Sequence, residues 1–224
     1  MWSIAKFSKA GRRNSERGLL CQDCIYSAEK DSIQVITLAD GSGEDDYARM
    51  GAEKSCQVLA QLLLEQYMPL YNMEEKQLRF NVAANIKTEL FSTCDRHGIE
   101  IEQLQSTILG LAVDHSTGTF MAVHLGDGRI EIGRDGRRQT ISFPENGVNK
   151  GKTFLTSMGK MGKHVRVVRG DLKDIQEFTL SSDGWTENKG TPGHLCPFVS
   201  ACGSGAEADR EYTDDVSFIS LMLQ

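Results

Sequence analysis

The chain of 224 residues has four prolines, two tryptophans and no positive charge excess; 25 Lys and Arg face 31 Asp and Glu, a formal net charge of −6. So few prolines exclude a Pro-rich linker. The acidic balance argues against nucleic-acid binding, which usually leaves a basic footprint. The longest aliphatic stretches, Val35 to Ala39 and Phe218 to Leu223, are strand-sized. A membrane-spanning helix needs about 20 apolar residues, so no membrane partner is expected. The N-terminus, Met1-Trp2-Ser3-Ile4-Ala5-Lys6, lacks the apolar run of a signal peptide, and the expected location is the cytoplasm. There, the six cysteines are expected as free thiols. Cys21 and Cys24 have CxxC spacing, but Cys196 and Cys202 are too far apart to complete a zinc knuckle. The five histidines show no HxH or HxxxH spacing.

With 39% hydrophobic and 25% charged residues, the composition is that of a soluble globular protein. The length suits one domain over residues 1–224. Ile33 to Ala39 reads as a buried strand. From about Asp46 to Tyr67, Ala52, Cys56, Leu59, Leu63 and Tyr67 share a helical face, with Pro69 closing the helix. Glu44-Asp45-Asp46 suits its start, where acids favour the helix dipole. A second helix spans about Glu74 to His97, capped by Gly98. Thr107 to Asp114 and Thr119 to Leu125 form a hairpin signal, followed by Arg129 to Arg134 and an Asp135-Gly136 turn. Phe154-Leu155, His164 to Val168, Phe178 to Ser182 and Asp215 to Leu223 read as further strands. One helix pair covers only one face of a sheet, so a second sheet is expected to cover the other: an α+β sandwich with outer helices.

Four aspartates stand at strand ends: Asp40, Asp127, Asp183 and Asp214. Three precede glycine, and Asp-Gly alone is an ordinary hairpin turn. If the strand ends meet, the four make an oxygen-rich acidic cluster that needs cations or protons to coexist. Hard divalent ions take such ligands.

The motifs around these aspartates resemble those of the metal-dependent protein phosphatases of the PPM/PP2C family, in the family's order. They are Gly18-Leu19-Leu20-Cys21-Gln22-Asp23, Leu38-Ala39-Asp40-Gly41-Ser42-Gly43, Leu125-Gly126-Asp127-Gly128-Arg129-Ile130, Leu180-Ser181-Ser182-Asp183-Gly184-Trp185 and Thr213-Asp214-Asp215-Val216-Ser217. Ser106-Thr107 opens a strand as in the family. The resemblance implies an αββα four-layer sandwich and hydrolysis of phosphoserine and phosphothreonine in a phosphorylated protein substrate. It implies two Mn²⁺ or Mg²⁺ ions and a weaker third. Asp40 would bridge two ions, with the Gly41 carbonyl on one; Asp183 and Asp214 would ligate the other; Asp127 would help hold the third, alongside Asp183; and Asp23 would hold a metal-bound water.

Three positions depart from the family pattern. Ser42 stands where the family often has a histidine that protonates the leaving group. Gly18 stands where a phosphate-binding arginine is usual, with Arg17 beside it and Arg12 and Arg13 near. The segment between Asp183 and Asp214 has room for one short helix, near Phe198 to Cys202, so the second helical layer is expected to be reduced. The first two departures favour the alternative, a catalytically weak or inactive binding module. The third leaves Phe178, Leu180, Phe218 and Leu221 as candidates for an exposed apolar face. Such a face would dock a partner or form a homodimer, unless Leu195, Phe198 and Val199 fold over it. Lys150, Lys152, Lys160 and Lys163 form a basic loop region.

Overall fold

The computed structural model describes residues 2–43, 46–145, 153–187 and 212–223. Among these residues, ten antiparallel strands form two five-stranded sheets. The first contains β1 (Trp2–Lys9), β6 (Arg129–Arg134), β7 (Arg137–Ser142), β9 (Glu177–Ser181) and β10 (Val216–Leu223), in the order β1-β10-β9-β6-β7. The second contains β2 (Cys24–Lys30), β3 (Ile33–Ala39), β4 (Ile108–Asp114), β5 (Thr119–Leu125) and β8 (Arg166–Asp171), in the order β2-β3-β4-β5-β8. No helix among the described residues is long and apolar enough to cross a membrane.

Residues of β3, β4 and β5 are apolar on both faces because both faces are covered. Ile36, Leu38, Leu109, Leu111 and Val113 meet Phe178, Leu180, Ile219 and Leu221 of the first sheet. The alternate residues Val35, Ala39, Ile108, Ala112, Met121 and Val123 pack under two long helices, α2 (Asp46–Glu65) and α4 (Glu75–His97). The α2 face consists of Ala52, Cys56, Leu59 and Leu63, all fully buried. α4 begins at Glu74, whose carboxylate accepts from Gln77 N at 3.0 Å. It ends at Gly98, which adopts the left-handed φ of 65°.

The helix break differs from expectation. Pro69 does not close α2; the chain breaks at Gln66, and Pro69 lies inside a short helix, α3 (Tyr67–Tyr71). A continuous helix would put the Pro69 ring against the carbonyl four residues earlier. Placing the break first leaves Pro69 in an opening turn, where its missing N–H costs nothing.

Phe154-Leu155 is loop, with Phe154 stacked on His164 at a centroid distance of 3.6 Å. His164 ends α5 (Met161–His164) and β8 starts at Arg166. β1 and β2 carry no strong apolar pattern and are not assigned from sequence; both are only partly buried.

The expected exposed apolar face is absent from these strands. Phe178 pairs with Leu221 and Leu180 with Ile219 across β9 and β10, and all four point into the space between the sheets. Phe218 is on the opposite face, buried against Phe7, Trp185 and Tyr212. The outer face of the first sheet is otherwise polar. Arg138 joins Glu177 at 2.7 Å and Glu131 at 3.7 Å, and Thr179 and Ser220 hydroxyls bond at 2.8 Å. Among the described residues, its helical cover is α6 (Asp183–Glu187), so the helical layer there is the smaller one. Leu195, Phe198 and Val199, and the helix expected near them, lie outside the described residues.

Candidate metal centre

Antiparallel pairing brings the end of β3, the start of β4 and the end of β5 to one side of their sheet. The end of β9 and the start of β10 meet likewise in the other sheet. Asp40, Asp127, Asp183 and Asp214 extend these termini and line a single cavity of about 590 Å³. Asp40 is fixed at both backbone groups: its N donates to Thr107 Oγ1 at 3.0 Å and its carbonyl accepts from Thr107 N at 2.9 Å. Gly41 forms a bridge to Ser106. Thr153 donates its hydroxyl to Asp127, and Arg13 lies 3.3 Å from the Asp214 carboxylate.

The Asp-Gly pairs separate into two kinds. Asp135 and Gly136 both have positive φ, 47° and 72°, and make the β6–β7 hairpin turn. Gly184 has no such φ; a Cβ there would sit 2.1 Å from the Asp215 carbonyl oxygen. Its glycine serves close approach of α6 to the start of β10.

The carboxylates are crowded and buried. Burial, and then the charges of Asp23 and Asp183, hold Asp40 well above the ordinary carboxyl range. Burial and the charge of Asp127 push Asp183 up to about 6. Asp23 is only 5% exposed, and neither carboxylate oxygen has a hydrogen-bond partner of normal geometry. Burial pushes it up to about 7. Asp23 stands behind Asp40, in the wall of a second cavity of about 630 Å³ between β1, β2 and α2.

Arg17, Gly41 and Ser42 line the acidic cavity, as do Arg13 and Asn14. Asn14 and Arg13 belong to a short helix, α1 (Arg12–Glu16), which the sequence reading does not contain. Asp215, quoted in a motif but given no role there, is the joint of the site. Its carboxylate accepts from Gly11 N at 2.7 Å, Gln22 N at 2.5 Å and Asn14 Nδ2 at 2.9 Å. No local pattern signals this, since all three donors are remote in sequence.

Other candidates lie apart from the cavity. His124 is 1% exposed, bonds Ser142 Oγ through Nδ1 at 2.7 Å, and is held well below its ordinary pKa by burial and then Arg166. It is a core histidine. Cys21, Cys24, Cys56 and Cys94 are free thiols, while Cys196 and Cys202 lie outside the described residues. So do Glu44, Asp45, Lys150 and Lys152; Lys160, just before α5, and Lys163, within it, are exposed.

Two antiparallel sheets face to face, with helices outside and carboxylates gathered at one end, define an αββα sandwich with an acidic cleft. The family model for protein phosphatase 2C matches residues 10–210, and the chain belongs to that family. Solved structures share the fold. The serine/threonine phosphatase of S. agalactiae superposes with a TM-score of 0.72 at 16% identity, covering 100% of both chains. The serine/threonine phosphatase Stp1 from Staphylococcus aureus gives 0.70 at 14% identity, covering 100% of this chain and 96% of its own. RsbX in complex with magnesium gives 0.63 at 14%, with the same coverage. No curated protein sequence matches the chain significantly.

Proposed function

We propose that this protein hydrolyses phosphoserine and phosphothreonine in proteins, using Mn²⁺ or Mg²⁺. The observation that carries the reading is the set of four aspartates around one cavity, with Asp40 raised by burial and then the charges of Asp23 and Asp183, and Asp183 raised by burial and then the charge of Asp127. Such a donor set is all oxygen and suits hard divalent ions. The phosphatase names of the structural neighbours, and the magnesium in RsbX, support the same reading.

Asp40, the Gly41 carbonyl, Asp183 and Asp214 would hold two ions, and Asp127 a weaker third. When bound, the ions would supply an acidified water and offset the phosphoester's charge. Asp23, buried next to Asp40, would hold a water of the metal centre by accepting its hydrogen bond. Arg17 and Arg13 would orient the phosphoryl oxygens. The Arg13–Asp214 pair is well exposed on both sides, so releasing Arg13 to a phosphate costs little. Ser42, exposed in the cavity wall, would stand at the leaving-group side. The free thiols suit the reducing cytoplasm.

Ser42 and Gly18 favour the second reading, a weak or inactive module, because a hydroxyl is a poor acid and glycine stands where a phosphate-binding arginine is usual. An assay with an aryl phosphate and then phosphopeptides, with Mn²⁺, Mg²⁺ or excess EDTA, separates the two. Metal-dependent turnover supports the phosphatase. No turnover with either metal supports the module, and full turnover in EDTA after verified metal removal overturns the metal-dependent reading.

A further inference from the structure

We propose that Cys24 and Cys56 form a reversible disulfide when the protein meets an oxidant of the peroxide class, a covalent staple between β2 and α2. Cys24 opens β2, and Cys56 lies midway along α2.

The sheet register places the two together. Cys24 pairs with Ala39, so their side chains share a face, and Thr37, two residues back on β3, lies on that same face. This face packs under α2. The Thr37 hydroxyl donates to the Cys56 carbonyl at 3.3 Å, and the Cys56 thiol donates to the Cys24 carbonyl at 3.5 Å. Small residues permit so close an approach: Ala48, Gly51, Ala52 and Ser55 are all buried along the inner side of α2. Disulfides join residues whose Cβ atoms are roughly 3.5–4.5 Å apart. A thiol that already touches its partner's main chain needs little more than side-chain rotation to meet the partner's sulfur.

The two thiols are unequal in access and in acidity. Cys24 is half-buried and lines the cavity of about 630 Å³ between β1, β2 and α2, with Lys6, Arg49 and Gln57. Hydrogen peroxide, a molecule little larger than water, can enter there. Cys56 is fully buried behind it. The hydrogen bond from Cys56 leads the influences that hold the Cys24 thiol below its ordinary pKa. Burial, and then the contact with Cys24, hold Cys56 well above its own. Oxidation-sensitive thiols have this arrangement, an accessible sulfur with thiolate character and a second sulfur beside it to resolve the product. Cys21 is the contrast. Burial and then the charge of Asp23 push its thiol up to about 12, and its sulfur lies 3.2 Å from Ser8 Oγ.

The chemistry balances in two steps. The Cys24 thiolate attacks one peroxide oxygen; the S–O bond forms, the O–O bond breaks, and hydroxide leaves to take up the proton that Cys24 had lost. The Cys56 sulfur then attacks the Cys24 sulfur. The S–S bond forms, the S–O bond breaks, and the departing hydroxide leaves as water with the Cys56 proton. Two thiols lose two electrons in all, and the peroxide is reduced to two waters. A dithiol reductant reverses the bond by exchange.

The test treats the reduced full chain with hydrogen peroxide, alkylates the remaining thiols in denaturant and digests with trypsin. The expected product joins the peptide Gly18 to Lys30 with the peptide Ser55 to Lys76, lighter by two hydrogens than their sum, with fragment ions that put the bond at Cys24. Dithiothreitol should release both peptides. The link should persist in Cys21→Ser and vanish in Cys24→Ser. Cross-linked protein should also melt at a higher temperature than reduced protein, because the bond constrains the unfolded chain. Wild-type protein whose Cys56 is recovered fully alkylated after peroxide overturns the pair, even should a cysteine variant fail to fold. So does a bond from Cys21 to Cys24 or to Cys56 in its place, or a cross-linked protein that melts no higher than the reduced one.

Discussion

The backbone amide of Gln22 donates to the Asp215 carboxylate at 2.5 Å, across 193 positions of sequence. It ties the entry of β2 to the entry of β10, and so one sheet to the other at the acidic end. The same carboxylate holds Gly11 and Asn14. Asp215→Ala leaves buried N–H groups unpaired, each costing about 1–3 kcal/mol. The expected loss in unfolding free energy is about 3 kcal/mol, read by urea denaturation. A loss below 1 kcal/mol would show that the joint is dispensable.

Gly184→Ala tests the main chain of Asp215 instead of its carboxylate. The added Cβ would sit 2.1 Å from the Asp215 carbonyl oxygen, a backbone atom that cannot swing aside. The substitution is expected to destabilise by more than about 3 kcal/mol, in the range reserved for overpacked or strained sites. Gly136→Ala strains a left-handed turn position instead and should cost less, about 1 kcal/mol.

Asp40→Asn and Asp183→Asn should each abolish hydrolysis while the fold survives. Each removes a charge from a cluster whose members repel. In EDTA the variants are expected to melt at or above the wild-type temperature. Assays paired with circular dichroism and thermal melts check both halves; near-wild-type rates in both variants would move the reaction elsewhere.

Ser42→His should raise the rate on phosphoserine more than on an activated aryl phosphate. Only the poor leaving group needs a proton, and a placed general acid contributes roughly 10²-fold or more. Equal effects on both substrates would remove position 42 from the leaving-group side.

Acid sensitivity should centre on Asp114, at the β4–β5 turn. Burial raises its carboxyl, but hydrogen bonds from Ser116, Ser32 and Thr117 outweigh that and lower it to about 2. A depressed carboxyl stabilises above its unfolded value near 4 and loses that contribution as pH falls through about 2. The contribution at neutral pH is about 2 kcal/mol. Asp114→Asn should lower stability at pH 7 and leave it nearly unchanged at pH 2, in denaturation curves at both values.

Local chemistry made much of the molecule readable. Leu78, Val82, Ile86, Leu90 and Cys94 mark α4 because a 3.6-residue period needs no partner to be seen, and Glu74 and Gly98 bracket it by capping. β3, β4 and β5 are visible because strands buried on both faces are apolar throughout. The strand-end aspartates, too, stand out in order along the chain.

What tertiary structure alone decided is the direction and company of those residues. Phe178 and Leu221 are apolar in any reading, but only the register of β9 on β10 sends them inward together and Phe218 outward. Asp135-Gly136 and Asp183-Gly184 are the same dipeptide; one serves φ and the other a backbone 2.1 Å from a would-be Cβ. Asp215 became the joint of the site through a contact 193 positions away in sequence, and the pairing of β2 with β3 brought Asp23 up to Asp40. Propensity and period are short-range properties of the chain. Which carboxylates share a cavity depends on how two sheets close on each other, and that is settled only when the core packs.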